Sequence, residues 1–324
     1  MPTQPVVLAP NLPETFYRAS GRLAAFRGGS LEPRPEDWVA STTPRFGQAP
    51  AGLSALPDGT LLADSSRDDP IGWLGAEHVE RFGTNPAVLV KLLDAGQRLP
   101  VHVHPSRDFA RSHLASPFGK SEAWIVLDAA PSAEVYLGFS RDVAFDELRS
   151  WVADQDVATL LAATNRLPVQ PGDVLFCPAG TPHAIGRDIL LVELQEPTDF
   201  SVLLEQEGFP VAADDALLGL PLDLALACVD RRRISASGLD ELRGGRSGSL
   251  LPASADPLFR AELVRTGDSV SGFSVLVVTD GAGTLHGEWG EIAVHRGLTL
   301  AVPHGAGASR LDGDVSAVRC TAGG

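Results

Sequence analysis

The chain has 324 residues, 44% hydrophobic and 21% charged, a globular composition with length for two domains or one two-lobed unit. Its formal net charge of −15, from 26 Lys and Arg against 41 Asp and Glu, argues against nucleic acid and anionic membranes as partners. Three scattered cysteines (Cys177, Cys228, Cys320), no signal-peptide pattern in residues 1–13 and no apolar run of spanning length predict a cytoplasmic protein.

The first 85 or so residues are rich in Pro, Gly and Arg, with short apolar pieces only. Strand patterns begin with Ala87–Leu93 (AVLVKLL), a continuous apolar run broken by one Lys, and Leu99–His104 (LPVHVH), which alternates. Ala123–Leu127 and Glu134–Phe139 follow. Residues 145–165 place apolar side chains three and four apart and predict a helix. Strands resume at Asp173–Cys177 and Ile189–Leu194, a second helical stretch is expected over Ala212–Val229, and Ser235–Ser254 reads as a linker or exposed loop. The last third returns to strands at Arg260–Thr266, Phe273–Thr279, Ile292–His295 and Thr299–Val302.

One phrase occurs twice. VQPGDVLFCPAGTPHAIG (169–186) lies over VHRGLTLAVPHGAGASRL (294–311), matching Gly172 with Gly297, Pro178 with Pro303 and Gly180 with Gly305. The shared form is turn, Gly, strand, Pro, x, Gly, and two copies of one supersecondary unit imply two related β-barrels.

His102 and His104 sit two apart on an alternating strand, so both rings leave one face while Val101 and Val103 leave the other. With Glu122 opening a later strand and His183 after the Pro-Ala-Gly-Thr-Pro turn, four donors are available for a divalent metal. A lone His-x-His pair is more often surface or core; the four donors in this order, on predicted strands, favour a metal site. In the second copy His183 aligns with Ala308, and His286, His295 and His304 are isolated, so one metal per chain is expected.

LVKLLDAGQRLPVHVHPSRDFA (89–110), FGKSEAWIVLDAAPSAEVYLGF (118–139) and VQPGDVLFCPAGTPHAIGRDILLVELQ (169–195) together resemble the type I mannose-6-phosphate isomerases in their short prokaryotic form; EDWVAST (36–42) and LPDGTLL (56–62) are weaker matches. The resemblance implies a mainly β, double-cupin fold of two jelly-roll-like barrels with a helical insertion. The expected parts are a metal-binding cupin over 1–205, a helical segment and linker over 206–250, and a metal-free cupin-like barrel over 251–324. It implies one zinc, and interconversion of mannose 6-phosphate and fructose 6-phosphate. His104, Glu122 and His183 match the family's zinc ligands, and His102 replaces a Gln. Lys120 matches the family's substrate-facing Lys, and Glu193 and Asp199, which match its Glu and Asp, are the carboxylate candidates for the catalytic base.

One departure matters. Where the family carries an Arg four residues after that Asp, DFSVLLE (199–205) places Leu203, which can stabilise neither an enediolate nor a phosphate. Arg187 or the run Arg231-Arg232-Arg233 would have to replace it, or the sugar is not phosphorylated. The expected partner is therefore a small sugar or sugar phosphate. The competing readings are an isomerase of a different sugar and a non-catalytic sugar-binding cupin; three His and one Glu also suit iron or manganese.

Overall fold

The computed structural model describes residues 2–28, 31–245 and 248–324, so Arg246 and Ser247 of the expected linker lie outside the described residues. Its architecture is mainly β, as expected, with three antiparallel sheets. The first orders the strands Glu36–Val39, Leu89–Ala95, Ile189–Gln195, Glu122–Ala129 and Val174–Cys177. The second orders Val202–Leu203, His102–Val103, His183–Ile185, Glu134–Phe139 and Thr164–Pro168.

The two five-stranded sheets face each other. Leu93, Trp124, Val126, Leu175 and Leu191 of the first pack against Val135, Leu137, Leu167 and Ile185 of the second. Because side chains alternate across a strand, Val90, Leu92, Ile125, Val192 and Leu194 leave the opposite face of the first sheet. There they meet Phe259, Val275, Val277 and Val318 of the C-terminal sheet. Coverage on both faces explains why Leu89–Ala95 and Ile189–Gln195 read as unbroken apolar runs. The outer face of the second sheet, including Val101 and Val103, is covered by the helices Phe145–Asp154 and Val157–Ala163 and by Ala225 and Leu226.

The third, seven-stranded sheet is built largely from residues beyond 258, and its long strands Ser274–Gly287 and Ser309–Ala322 pair along most of their length. Its edge takes in Val6–Val7, which pairs with Leu300 and Ala301. The start of the chain thus joins the C-terminal sheet through this strand, while Leu8 and Leu23 also pack with Val39, Val90 and Leu92 of the first sheet. The two copies of the repeated phrase share their glycine turn and the strand after it, and differ beyond the Pro, where the second forms the short 3-10 helix His304–Ala306. Val174–Cys177 and Thr299–Val302 each follow a positive-φ glycine, Gly172 (φ 93) and Gly297 (φ 89).

Other local expectations shift. The helix expected over 145–165 is two helices, separated at Gln155 in the left-handed region (φ 53), and the chain then turns to strand at Thr164. The stretch Ala212–Val229 holds only the short helices Ala213–Ala216 and Leu222–Leu226, with Pro221 between them. The expected linker contains a helix, Ala236–Glu241, capped by Ser235.

Candidate metal centre

The structure brings His102, His104, Glu122 and His183 together between the two facing sheets. His102 is paired in register with His183 on the neighbouring strand. The His102 ring centroid lies 4.1 Å from that of His183 and 4.8 Å from that of His104. All four side chains are buried.

The backbone fixes the tautomers. Nδ1 of His102, His104 and His183 each lies 2.8 Å from a carbonyl oxygen, of Pro100, Phe200 and Thr181 respectively. A carbonyl only accepts, so each Nδ1 carries a proton, and in the neutral ring Nε2 is left to present a lone pair. Those lone pairs face a carboxylate: His104 Nε2 is 2.9 Å from Glu122 Oε2, and His183 Nε2 is 3.1 Å from Oε1. The His104 contact is not an ion pair, because that imidazole is neutral. Burial, then the Lys120 ammonium, drives His104 down to about 3. Burial, then His183 and His104, pushes His102 well below its ordinary range. For Glu122 burial favours the neutral form, but Lys120, His104 and His183 outweigh it and hold the carboxyl well below the usual range.

His183 Nε2 is buried without a hydrogen-bond partner. An unpartnered imidazole nitrogen beside an ionised carboxylate and two further imidazoles is a donor set that suits a divalent metal with N and O ligands. Hydrogen bonds from Nδ1 to backbone carbonyls, such as these, fix the orientation of a histidine that offers Nε2 to a metal. Cys177, the register partner of Glu122, is 3.3 Å from His183 Nδ1 and close enough to Glu122 and His183 to count among the possible donors, but burial raises its thiol well above the ordinary range.

Lys120 Nζ lies among the donors, 2.8 Å from His104 Nε2 and 3.0 Å from Glu122 Oε2. Glu193 belongs to a row across the first sheet in which Trp38, Lys91, Glu193 and Trp124 are register partners. Trp124 Nε1 donates to Glu122 Oε1 at 3.0 Å, tying that row to the ligand set. Lys91 Nζ is 3.6 Å from Glu193, 3.9 Å from Glu36 and 4.4 Å from the centre of the Trp38 ring. Burial and then the Glu122 charge raise Glu193 to about 7, with Lys91 opposing. Tyr17 and Trp38 both donate to Glu36. Asp199 stands at the edge of this group, accepting from the Phe46 backbone N–H at 3.1 Å, and burial raises its carboxyl.

Sequence reasoning missed Lys91, Glu36, Tyr17 and Arg45. Lys91 carried a visible signal, being the one charge in an apolar run, since a buried strand keeps a Lys only where acids meet it. Arg45 carried none. The cations expected to replace the family Arg are elsewhere: Arg187 pairs with Asp188 and is 76% exposed, and Arg232 pairs with Asp230 and is 85% exposed. Arg231 donates to the Val143 carbonyl, and the Arg233 backbone N–H is bound by Asp142. A cavity of about 830 Å³ near Pro2–Val7 and Trp73 shares no lining residue with the cluster.

No family model matches the chain. Mannose-6-phosphate isomerase of Streptococcus mutans is 36% identical over 153 residues, 45% of this chain and 47% of that protein. A Bacillus subtilis mannose-6-phosphate isomerase is 38% identical over 112 residues, 35% of this chain and 34% of that protein. The chain thus spans half or less of the length of these curated relatives. Similarity of structure runs further. The mannose 6-phosphate isomerase from Bacillus subtilis superposes with a TM-score of 0.75 at 20% identity over 98% of this chain and 99% of that one. A mannose 6-phosphate isomerase bound with zinc and yttrium gives 0.74 at 17% identity over 99% of this chain and 100% of that one. The chain has the fold of these enzymes.

Proposed function

We propose that this chain is a zinc-dependent aldose–ketose isomerase of the mannose-6-phosphate isomerase type, interconverting mannose 6-phosphate and fructose 6-phosphate through a cis-enediol. The observation that carries the proposal is the convergence of three tautomer-locked imidazoles on Glu122, with Lys120 and a near-neutral Glu193 beside them. The similarity to named mannose-6-phosphate isomerases supports it.

His102, His104, Glu122 and His183 would hold the zinc, which supplies a Lewis acid for substrate oxygens. The rest falls to the chain's own residues. Aldose–ketose conversion takes a proton from C2 and returns one to C1, so a single group must accept and then give. Its working pKa should lie near neutrality. Glu193, raised to about 7, has that property, and Lys91 beside it stabilises the ionised form. Lys120 is placed to stabilise negative charge on a substrate oxygen next to the ligands. Asp199 acts as a positioning residue, holding the loop at Phe46 over the cluster. Strands wall the site on both sides and keep water from the enediol.

Leu203 favours a second reading, an isomerase of an unphosphorylated sugar, because it puts an apolar side chain where the family has a cation. Loading the protein with zinc and assaying mannose 6-phosphate and free mannose separately decides between them. Conversion of the phosphorylated sugar is the expected result, and conversion of free mannose alone would establish the second reading. Metal analysis with oxygen uptake separates zinc from iron or manganese.

A further inference from the structure

A cavity of about 340 Å³ opens beside the metal centre, and its lining includes Arg45, Phe46, Gln48, Asp199, Ser201 and Leu203. Two of these residues join it to the cluster. Leu203 is the register partner of His102, and Ser201 Oγ is 3.3 Å from His104 Nδ1. Among the described residues its one lining cation is Arg45, on the loop whose Phe46 backbone N–H donates to Asp199.

Arg45 is held in place without being saturated. Its Nη1 donates to the Glu14 carbonyl, and its Nε stands 3.8 Å from Asp199 Oδ2, beyond hydrogen-bonding distance. No other hydrogen bond leaves the guanidinium among the described residues. Its side chain is 18% exposed, and its remaining N–H groups are not sealed from solvent but open to a ligand in the cavity. A phosphate, with three acceptor oxygens and up to two negative charges, is a stronger acceptor than Asp199 at that distance. The other acids lining the cavity, Glu14 and Asp215, are exposed and screened by solvent.

The lysines inside the cluster already stand against carboxylates, Lys120 against Glu122 and Lys91 against Glu36 and Glu193. Arg45, at the mouth, is the cation left for a substrate anion. We infer that Arg45 binds the phosphate of a phosphorylated hexose, taking from the loop the part that Leu203 cannot play. The inference rests on the phosphosugar reading above.

The test is calorimetric, so that it does not depend on turnover. Zinc-loaded wild type, Arg45→Ala and Arg45→Lys are titrated with mannose 6-phosphate and with mannose. Arg45→Ala should weaken mannose 6-phosphate binding roughly 10- to 100-fold, the value of one charge-assisted bond set, and leave mannose within about threefold. Arg45→Lys should fall between, because it keeps the charge and loses the fork. An equal loss for both sugars would make Arg45 a loop tether only, and no loss for either would also overturn the inference. If wild type binds mannose 6-phosphate no better than mannose, the inference fails as well. Binding that depends on Arg45 without conversion would instead count against the isomerase reading alone.

Discussion

Lys91 and Glu193 are register partners on adjacent central strands, with Nζ 3.6 Å from Oε2 and both side chains buried. Glu36 completes the set from the edge strand, so one ammonium serves two carboxylates. Burial lowers the Lys91 pKa, but Glu36, Glu193 and Asp199 more than reverse it, and the lysine stays charged. Removing it leaves buried acids unpaired. Lys91→Met should destabilise the fold by about 3–5 kcal/mol, checked by urea denaturation. Adding Glu36→Gln to that variant should recover part of the loss, because one unpaired charge is gone.

The Glu193 carboxyl is raised to about 7 from an ordinary carboxylate value. A raised carboxyl favours the protonated form in the fold. Its contribution to stability is therefore complete below the unfolded pKa and is lost as pH rises through 7. Between about pH 5 and 8 the wild type should lose stability relative to Glu193→Gln, whose curve lacks this component. The same substitution should lower kcat by roughly 10²- to 10⁴-fold with metal content unchanged, as expected for loss of a general base.

The metal site makes an independent prediction. Since His183 Nε2 is buried without a partner, a chelator should lower Tm, and zinc should restore it. At a free zinc concentration 100 times Kd the gain is about 2.7 kcal/mol. His183→Ala should abolish that zinc-dependent gain and bring bound metal, measured by plasma emission, close to zero.

The two halves of the chain share a core. Phe176 of the first sheet and Phe259 of the C-terminal sheet pack edge-on with centroids 6.1 Å apart, and Phe259 is fully buried. Phe259→Ala should cost about 3–5 kcal/mol. It should do so in a single unfolding transition, seen alike by circular dichroism and tryptophan fluorescence. Two separated transitions would show that the halves fold independently.

Much of this arrangement was legible from strand alternation. His102 and His104 point inward because they are two apart with valines between, and the repeated Gly-strand-Pro phrase marked equivalent strands in the two halves. What escaped was long-range. Nothing local to Val6–Val7 says that it will pair with Leu300 and Ala301. Periodicity over 145–165 does not reveal a break at Gln155, whose side chain accepts from the Gln206 and Glu207 backbone N–H groups. The row Trp38, Lys91, Glu193, Trp124 draws on four separate strands and exists only once register is set. Arg45 reaches the site by a loop, where no period constrains direction.

Proton exchange tests the isomerase claim most directly. The zinc-loaded protein, incubated in deuterated water with mannose 6-phosphate, should convert it to fructose 6-phosphate, with deuterium entering at C1 or C2 as followed by NMR. That signal should vanish in Glu193→Gln. Absence of both conversion and exchange in the wild type, with zinc bound in stoichiometric amount, would contradict the account.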